Sequence, residues 1–196
     1  MKETEEKTVL AVGLKKEKVA ELLCVGTEEF PPVRTLAAPD VTAAVTLFRE
    51  DPTDAVILNL PAADGVLREA VSFFCRETSA AVLLLLPSGA CDEELAAQCA
   101  ASGVMLLTKP LTGKTRREAV PLFMGITRRL SALRKEKEAA EKRLSEMKTV
   151  NHAKWLLIRR LGIDEEEAHR MIEKQAMDMR RSRGDVAAAF IRMYEN

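Results

Sequence analysis

Aromatic residues are scarce in this sequence of 196 residues, of which only 4% are Phe, Trp or Tyr. The interior must therefore be built mainly from Ala, Leu and Val, and the hydrophobic content of 47% is sufficient for a real core. The charged start MKETEEK is not followed by an apolar run of about 18 residues, which argues against a signal peptide or a membrane-spanning helix. We expect a soluble, cytoplasmic protein of one or two domains.

Cysteine and histidine are too few and too dispersed for a recognisable metal site. No two Cys form a C-x-x-C pair, and His152 and His169 lie far from every Cys in sequence. Each Cys has apolar neighbours, so we expect reduced thiols in the core and neither a metal nor a cofactor. The four thiols belong to Cys24, Cys75, Cys91 and Cys99.

Net charge is absent overall, but the two halves of the chain carry opposite charge. Residues 1–110 hold 10 Lys/Arg against 17 Asp/Glu, whereas residues 111–196 hold 20 against 13. This split predicts two modules with different partners. The basic half could meet a phosphate backbone, and the alternative is a solvated Lys/Glu-rich helix face.

Five short apolar runs alternate with helical patterns in the first half. The run at residues 55–60, AVILNL, shows no amphipathic alternation, which is typical of a strand covered on both faces. We therefore predict an α/β fold with a doubly wound, five-stranded parallel sheet, whose functional residues lie at the carboxyl ends of the strands. The predicted strands are residues 8–13, 33–37, 55–60, 80–86 and 104–107, and the predicted helices are residues 16–24, 41–49, 65–77 and 92–101.

The order of these elements and two local motifs resemble a response-regulator receiver domain. The motifs are LPAADG at residues 60–65 and LTKP at residues 107–110. In that family a Lys-Pro pair closes the fifth strand and its Lys contacts the phosphoryl group, which Lys109 and Pro110 match. The resemblance covers about residues 7–113, and we assign the domain to residues 1–113.

The carboxylates of receiver phosphorylation are missing. A receiver holds Mg²⁺, which takes hard oxygen ligands, with an acidic pair after the first strand, and Gly13 and Leu14 stand there. The phosphoacceptor position falls on Asn59 when it is counted from Asp54, and on Ile57 when it is counted back from residue 61. Neither is a carboxylate, so phosphorylation through the usual site is not expected.

The degenerate phosphorylation site then consists of Asn59, Ser88 and Lys109. Ser88 could supply the switch hydroxyl that a receiver carries after its fourth strand, although Pro87 fits the same position equally well. Lys109 could simply be a solvated Lys. Asp64 is the nearest remaining acid, although turn chemistry explains it. We interpret the domain as a pseudo-receiver that takes a protein or small-molecule input or serves as a dimerisation scaffold.

Residues 114–150 are predicted to form a helical coiled-coil connector. TRRE at residues 115–118 fits a capping box, and Pro121 either kinks the helix or starts it. From residue 126 onward apolar residues recur in alternating steps of four and three, which is the spacing of a coiled-coil seam. The seam residues are Leu130, Leu133, Leu144, Met147 and Asn151.

A homodimer with parallel helices is the functional interpretation of this seam. Asn151 falls on an a position, where a buried Asn fixes the register of a parallel dimer. The alternative is a long amphipathic helix that packs on its own receiver domain.

Residues 151–196 are predicted to form three helices. Gly162 ends the first, and capping boxes starting at Asp164 and Ser182 begin the other two. Trp155 and Tyr194 could stack on bases, although packing on the small core is the alternative.

Six short motifs characterise this region: AK at residues 153–154, LGI at 161–163, EA at 167–168, KQAMD at 174–178, RRS at 180–182 and DVA at 185–187. With these motifs the region resembles an ANTAR domain, a bacterial RNA-binding output module. Trp155 departs from the Gly usual in the family. The resemblance implies a non-enzymatic regulator of two-component-like signalling that acts by transcription antitermination, in which a dimer holds tandem leader-RNA hairpins.

Cations of this region are the predicted RNA contacts, because Arg and Lys bind phosphates and unstacked bases. A DNA-binding response regulator and a protein-interaction scaffold remain as alternative functions. The predicted RNA-binding residues are Lys154, Arg159, Arg160, His169, Arg170, Lys174, Arg180, Arg181 and Arg183.

Overall fold

The computed structural model describes residues 6–24, 33–51, 53–61 and 65–195. Asp64, considered above as the nearest remaining acid, lies outside the described residues. The chain divides into two compact units, Met1–Arg134 and Lys135–Asn196. Over the described ranges, no helix has the length and apolar character needed to cross a membrane.

The first unit contains a five-stranded parallel sheet, which confirms the predicted fold class. The strands are β1 Lys7–Val12, β2 Val33–Ala38, β3 Ala55–Asn59, β4 Ala81–Pro87 and β5 Met105–Lys109. Their order in the sheet is β2-β1-β3-β4-β5, so β2 is added on one side of β1, and β3, β4 and β5 follow on the other side. Nearly every residue of β1, β3 and β4 is buried, as expected for strands covered on both faces.

Helices cover both faces of the sheet and divide the core in two. The first four helices are α1 Lys16–Leu23, α2 Val41–Glu50, α3 Gly65–Glu77 and α4 Glu93–Ser102. Successive strand residues point to opposite faces, so Leu10 and Leu58 join the core under α2–α4, while Val9 and Ile57 join the core under α1 and the long fifth helix. The Asp40 and Asp92 side chains cap α2 and α4.

The fifth helix, α5, runs from Gly113 to Leu161 and contains Pro121 in its interior. The predicted starts at residue 115 and at Pro121 are therefore both wrong. Thr112 precedes the helix, and its Oγ1 accepts a hydrogen bond from the Thr115 amide at 3.1 Å. A Thr hydroxyl three residues before a free amide is sufficient as a cap, so the helix begins one turn earlier than the TRRE motif suggested.

The part of α5 within the first unit packs on the sheet through Val120, Phe123 and Met124. Arg134 forms hydrogen bonds with the two residues that precede β3. Its Nη2 donates to Asp54 Oδ1 at 2.8 Å, and its Nη1 donates to the Thr53 carbonyl at 2.9 Å. These contacts stabilise the packing of α5 against its own sheet.

The second unit consists of the end of α5, α6 (Glu165–Met179) and α7 (Arg183–Tyr194). The predicted capping box of α6 is present, because Asp164 and Glu167 each accept from the other's backbone amide. Ser182 caps α7, because its Oγ accepts a hydrogen bond from the Asp185 amide at 3.1 Å. The same hydroxyl donates to the Asp185 carboxylate at 2.8 Å. The core of this unit is formed by the buried residues Ala153, Leu157, Ala168, Ile172, Ala176, Val186, Ala187 and Phe190.

All four cysteines are free thiols, but they do not all lie in the core. Cys99 is buried and Cys75 and Cys91 are partly buried, whereas Cys24 is exposed, so the prediction of a core position is wrong for Cys24. Burial raises the pKa of the Cys75 and Cys99 thiols. Within the described part of the chain, no group of three or more His, Cys, Asp and Glu could hold a metal ion.

Candidate nucleic-acid interface

The junction of α6 and α7 presents three of the predicted RNA-binding cations. Arg180 ends α6 in the left-handed conformation, with φ 52° and ψ 44°, and its amide donates to the carbonyls of Ala176 and Met177. Arg181 is exposed in the connecting turn, and Arg183 occupies the first position of α7. This junction is also the positive end of the α7 dipole, which favours anions.

Acidic neighbours hold several of the other cations in place. Lys154 Nζ donates to Glu165 Oε1 at 2.8 Å, and this contact lowers the pKa of the Glu165 carboxyl below its ordinary value. Arg170 Nη2 lies 3.4 Å from Glu166 Oε1. Lys174 is exposed on the same helix. The Arg170–Glu166 pair is exposed and contributes little stability, so an incoming phosphate can replace the Glu166 carboxylate at small cost, whereas the Lys154 side chain is only 16% exposed.

Glu173 bridges α6 and α7 through two of the predicted residues. Its Oε1 accepts from Arg183 Nη1 at 3.1 Å and lies 3.3 Å from His169 Nε2. The carboxylate therefore orients both side chains on one surface. His169 and Glu173 are four residues apart on α6, whereas the contact with Arg183 depends on the packing of the two helices.

Trp155 lies outside the core of the second unit, contrary to the core-packing interpretation. Its side chain is 52% exposed, and the Arg159 guanidinium lies 5.1 Å from the centre of its ring. A cation over an indole face gives a flat, positively charged surface suited to a base or a phosphate. Tyr194, in contrast, packs on the core beside Phe190, with ring centres 6.4 Å apart.

Glu146 is a structural residue of this surface that sequence reasoning missed. Its Oε1 accepts a hydrogen bond from the Gly184 amide in the first turn of α7 at 3.2 Å. A Cβ added at Gly184 would lie 2.9 Å from Glu146 Cγ, so the glycine permits this close approach. The free amides at the start of α7 are thus shared between the Ser182 cap and a carboxylate of α5.

A groove of about 370 Å³ brings together some of the predicted residues and leaves others outside. Lys154, His169 and Arg183 line it together with the seam residues Met147 and Asn151. Arg159, Arg160, Arg170, Lys174, Arg180 and Arg181 do not line this groove.

Most of the predicted seam is exposed on α5. The exposed fractions are 52% for Leu133, 53% for Leu144 and 62% for Met147, and Asn151 is exposed as well. Leu130 differs, because it is half-buried and packs against the core of the first unit.

At the predicted degenerate phosphorylation site, the neutral amide of Asn59 forms hydrogen bonds with Lys109 and Gly13. Asn59 ends β3 and accepts from Lys109 Nζ through Oδ1 at 2.8 Å, while its Nδ2 donates to the Gly13 carbonyl at 2.8 Å. Ile57 is fully buried and unsuited to any exposed role. Ser88 follows β4, and its amide donates to the Lys109 carbonyl at 3.0 Å.

Gly13 is needed at the end of β1, where receivers carry an acid. Its φ is +70°, and a Cβ there would lie 2.3 Å from the Asn59 carbonyl oxygen. The close approach of the two backbones therefore excludes any side chain at position 13.

Residues 138–191 match the ANTAR domain family. A search of curated proteins found no match to the chain.

Three solved structures resemble the fold at low sequence identity. A response regulator receiver domain protein from Clostridium thermocellum is 20% identical, with TM-score 0.48, over 63% of this chain and 98% of that chain. The signal receiver domain of a Luxo repressor protein from Vibrio parahaemolyticus is 16% identical, with TM-score 0.50, over 66% and 98%. An adenylate cyclase from Rhodopirellula baltica is 14% identical, with TM-score 0.51, over 70% and 99%. The fold of the first unit is thus similar to that of the signal receiver domain from Vibrio parahaemolyticus.

Proposed function

We propose that this chain, which carries an ANTAR domain after a receiver-like fold, is a cytoplasmic, non-enzymatic, RNA-binding regulator of transcription antitermination. The observation that carries the proposal is the match of residues 138–191 to the ANTAR domain family. The cations at the α6–α7 junction support it, since they combine exposed guanidinium groups with the positive end of a helix.

The RNA is a leader transcript with two hairpins in tandem. Hairpin loops present unstacked bases beside closely spaced phosphates, which suits Arg181 in the exposed turn and the Trp155–Arg159 surface. Binding to such a structure would prevent an overlapping terminator hairpin from forming, so no catalytic group is required.

Two copies of the chain act together through α5. Leu133, Leu144 and Met147 leave apolar surface exposed at the spacing of a coiled-coil seam. A dimer would present two RNA-binding units to two hairpins, and linking two weak sites raises the overall affinity.

The pseudo-receiver acts without phosphorylation in this proposal. Asn59 replaces the acceptor carboxylate, and the backbone at Gly13 leaves no room for the acid that would hold Mg²⁺. A protein or small-molecule input, or the dimer itself, then takes over control of the RNA-binding unit.

The proposal is tested by titrating the full chain into an RNA pool carrying two short stem-loops in tandem with randomised loops, and then into the selected RNA. We expect binding that weakens as salt rises, because displaced counterions favour the complex at low salt. Arg181→Gln should weaken binding and reduce the salt slope by about one, whereas Lys114→Gln in the first unit should change neither.

Competition with the bound RNA distinguishes the alternative functions. Duplex DNA as competitor tests a DNA-binding regulator, and an acidic polypeptide tests a protein-interaction scaffold. The apolar side of α7 is buried in the core through Val186, Ala187 and Phe190. This burial disfavours insertion of the helix into a DNA groove. Absence of salt-sensitive RNA binding by a folded protein would overturn the proposal. Displacement of the RNA by duplex DNA at equal concentration would favour a DNA-binding regulator instead.

A further inference from the structure

A cavity of about 520 Å³ lies beside the Asn59–Lys109 pair in the first unit. It is placed at the carboxyl ends of the strands, where doubly wound folds bind their ligands. Its volume is within the range of about 300–1,000 Å³ that small-molecule sites occupy. A phosphoryl group alone would fill only a small part of it.

The polar side of the cavity is positively charged. Lys18, Lys109 and Arg116 contribute three cations, and Glu21 contributes one carboxylate. Lys18 Nζ already pairs with Glu21 Oε2 at 2.6 Å, so the acid is neutralised within the site. Lys109 and Arg116 therefore dominate the charge that a ligand would meet.

Both of these cations have donors beyond the contacts they make with the protein. Lys109 donates one N–H to Asn59, out of the three that an ammonium carries. Arg116 donates from Nη1 to the Glu21 carbonyl at 3.1 Å, out of five N–H donors. These contacts fix the two head groups while leaving hydrogen-bonding capacity for an anion.

The remaining walls of the cavity are apolar. Leu22 and Leu85 are buried side chains of the core, and Leu14 and Leu111 are partly buried. Leu14 stands at a position where a receiver carries a metal-binding acid, so the change removes a negative charge and adds apolar surface. A hydrated divalent cation is poorly matched to such a site.

We infer that this cavity binds a small organic anion, in which a carboxylate or phosphate group contacts Lys109 and Arg116 and an apolar body packs on Leu14, Leu22 and Leu85. The pairing of two fixed cations with an apolar floor defines this ligand class. Arg116 lies in the first turn of α5, so the bound anion contacts the start of that helix.

The test uses 2-naphthoate as the probe, titrated into the full chain and followed by calorimetry. We expect a Kd below about 1 mM, and at least a tenfold weaker Kd for Lys109→Met and for Arg116→Met, since loss of one charge-assisted contact costs that much. Lys114→Met is the matched control, because Lys114 is exposed on the same stretch and does not line the cavity. It should bind the probe as the unaltered chain does.

Two analogues separate the contributions of charge and apolar surface. Neutral 2-naphthamide should bind at least about tenfold more weakly than 2-naphthoate. The affinity for 2-naphthyl phosphate then shows whether the site prefers a phosphate or a carboxylate head group. Leu14→Asp should also weaken 2-naphthoate binding while the thermal unfolding midpoint confirms a folded protein. Equal affinity for naphthoate and naphthamide, unchanged affinity in folded Lys109→Met, or no binding at all would overturn the inference.

Discussion

Glu146 of α5 accepts a hydrogen bond from the Gly184 amide of α7 at 3.2 Å, across 38 residues of sequence. The contact joins two helices of the second unit directly. It also places a carboxylate next to the amides that start α7, close to the Arg183 side chain. The stability and the charge of this surface are therefore coupled through one residue.

Glu146→Ala should destabilise the second unit by about 1 kcal/mol, which is the usual loss when a helix cap is removed. Gly184→Ala should be neutral or destabilising in the unaltered chain, because the new Cβ would lie 2.9 Å from Glu146 Cγ. In the Glu146→Ala background the same substitution should stabilise by about 0.5–1 kcal/mol, since Ala favours helix over Gly.

Urea unfolding followed by Trp155 fluorescence measures these effects, because the chain has one Trp and it lies in the second unit. The double-mutant cycle should give a coupling energy of about 1 kcal/mol. Additive effects of the two substitutions would contradict a direct contact between the residues.

Arg180 combines an exposed cation with a strained backbone, so charge and conformation can be separated there. Its φ of 52° costs an ordinary residue about 1 kcal/mol, and Gly avoids that cost. Arg180→Gly should therefore stabilise the second unit by about that amount and still weaken RNA binding. Arg180→Gln keeps the strain and should weaken RNA binding to the same degree without any gain in stability.

Filter binding and urea unfolding on the same three proteins provide the comparison for Arg180. Retention of full RNA affinity by Arg180→Gly would show that the charge is not used. If RNA affinity falls in Arg180→Gln but not in Arg180→Gly, the fall reflects backbone geometry at residue 180 rather than the lost charge.

Asn59→Asp should not make the pseudo-receiver a phosphoacceptor. The substitution restores the acceptor carboxylate beside Lys109, but Mg²⁺ would still lack the acids after β1. Intact-protein mass after incubation with acetyl phosphate and Mg²⁺ should show no added phosphoryl group. Stoichiometric phosphorylation would mean that another acid supplies the metal site.

We expect the backbone at position 13 to prevent a single substitution from restoring receiver chemistry. Gly13→Asp should lower the free energy of unfolding by more than about 2 kcal/mol, through its positive φ and the clash with the Asn59 carbonyl. Gly89→Asp serves as the control, because Gly89 also has a positive φ, of +83°, but a Cβ added there would meet no atom within 4 Å. Equal stability of the two variants would contradict the steric argument.

The sequence predicted most of the fold, because buried parallel strands leave continuous apolar runs between helical patterns. All five strands lie within about two residues of their predicted positions. The start of α5 was misplaced, since Thr112 and Thr115 are both suitable caps and only the geometry distinguishes them. Contacts such as Glu146–Gly184 and Arg183–Glu173 depend on how helices pack, which periodicity does not determine.

Asn151 provides the most direct test of a dimer formed through α5. A buried Asn at an a position costs stability and specifies a two-stranded register, so Asn151→Leu should tighten self-association at least about tenfold and broaden the range of oligomers. Met147→Asp should dissociate the dimer, because it would place a charge in the seam. Met177→Asp is the matched control, since Met177 is also highly exposed but belongs to α6. Sedimentation equilibrium of the three variants measures the association. If none of them differs from the unaltered chain, the exposed apolar stripe of α5 does not hold two copies together.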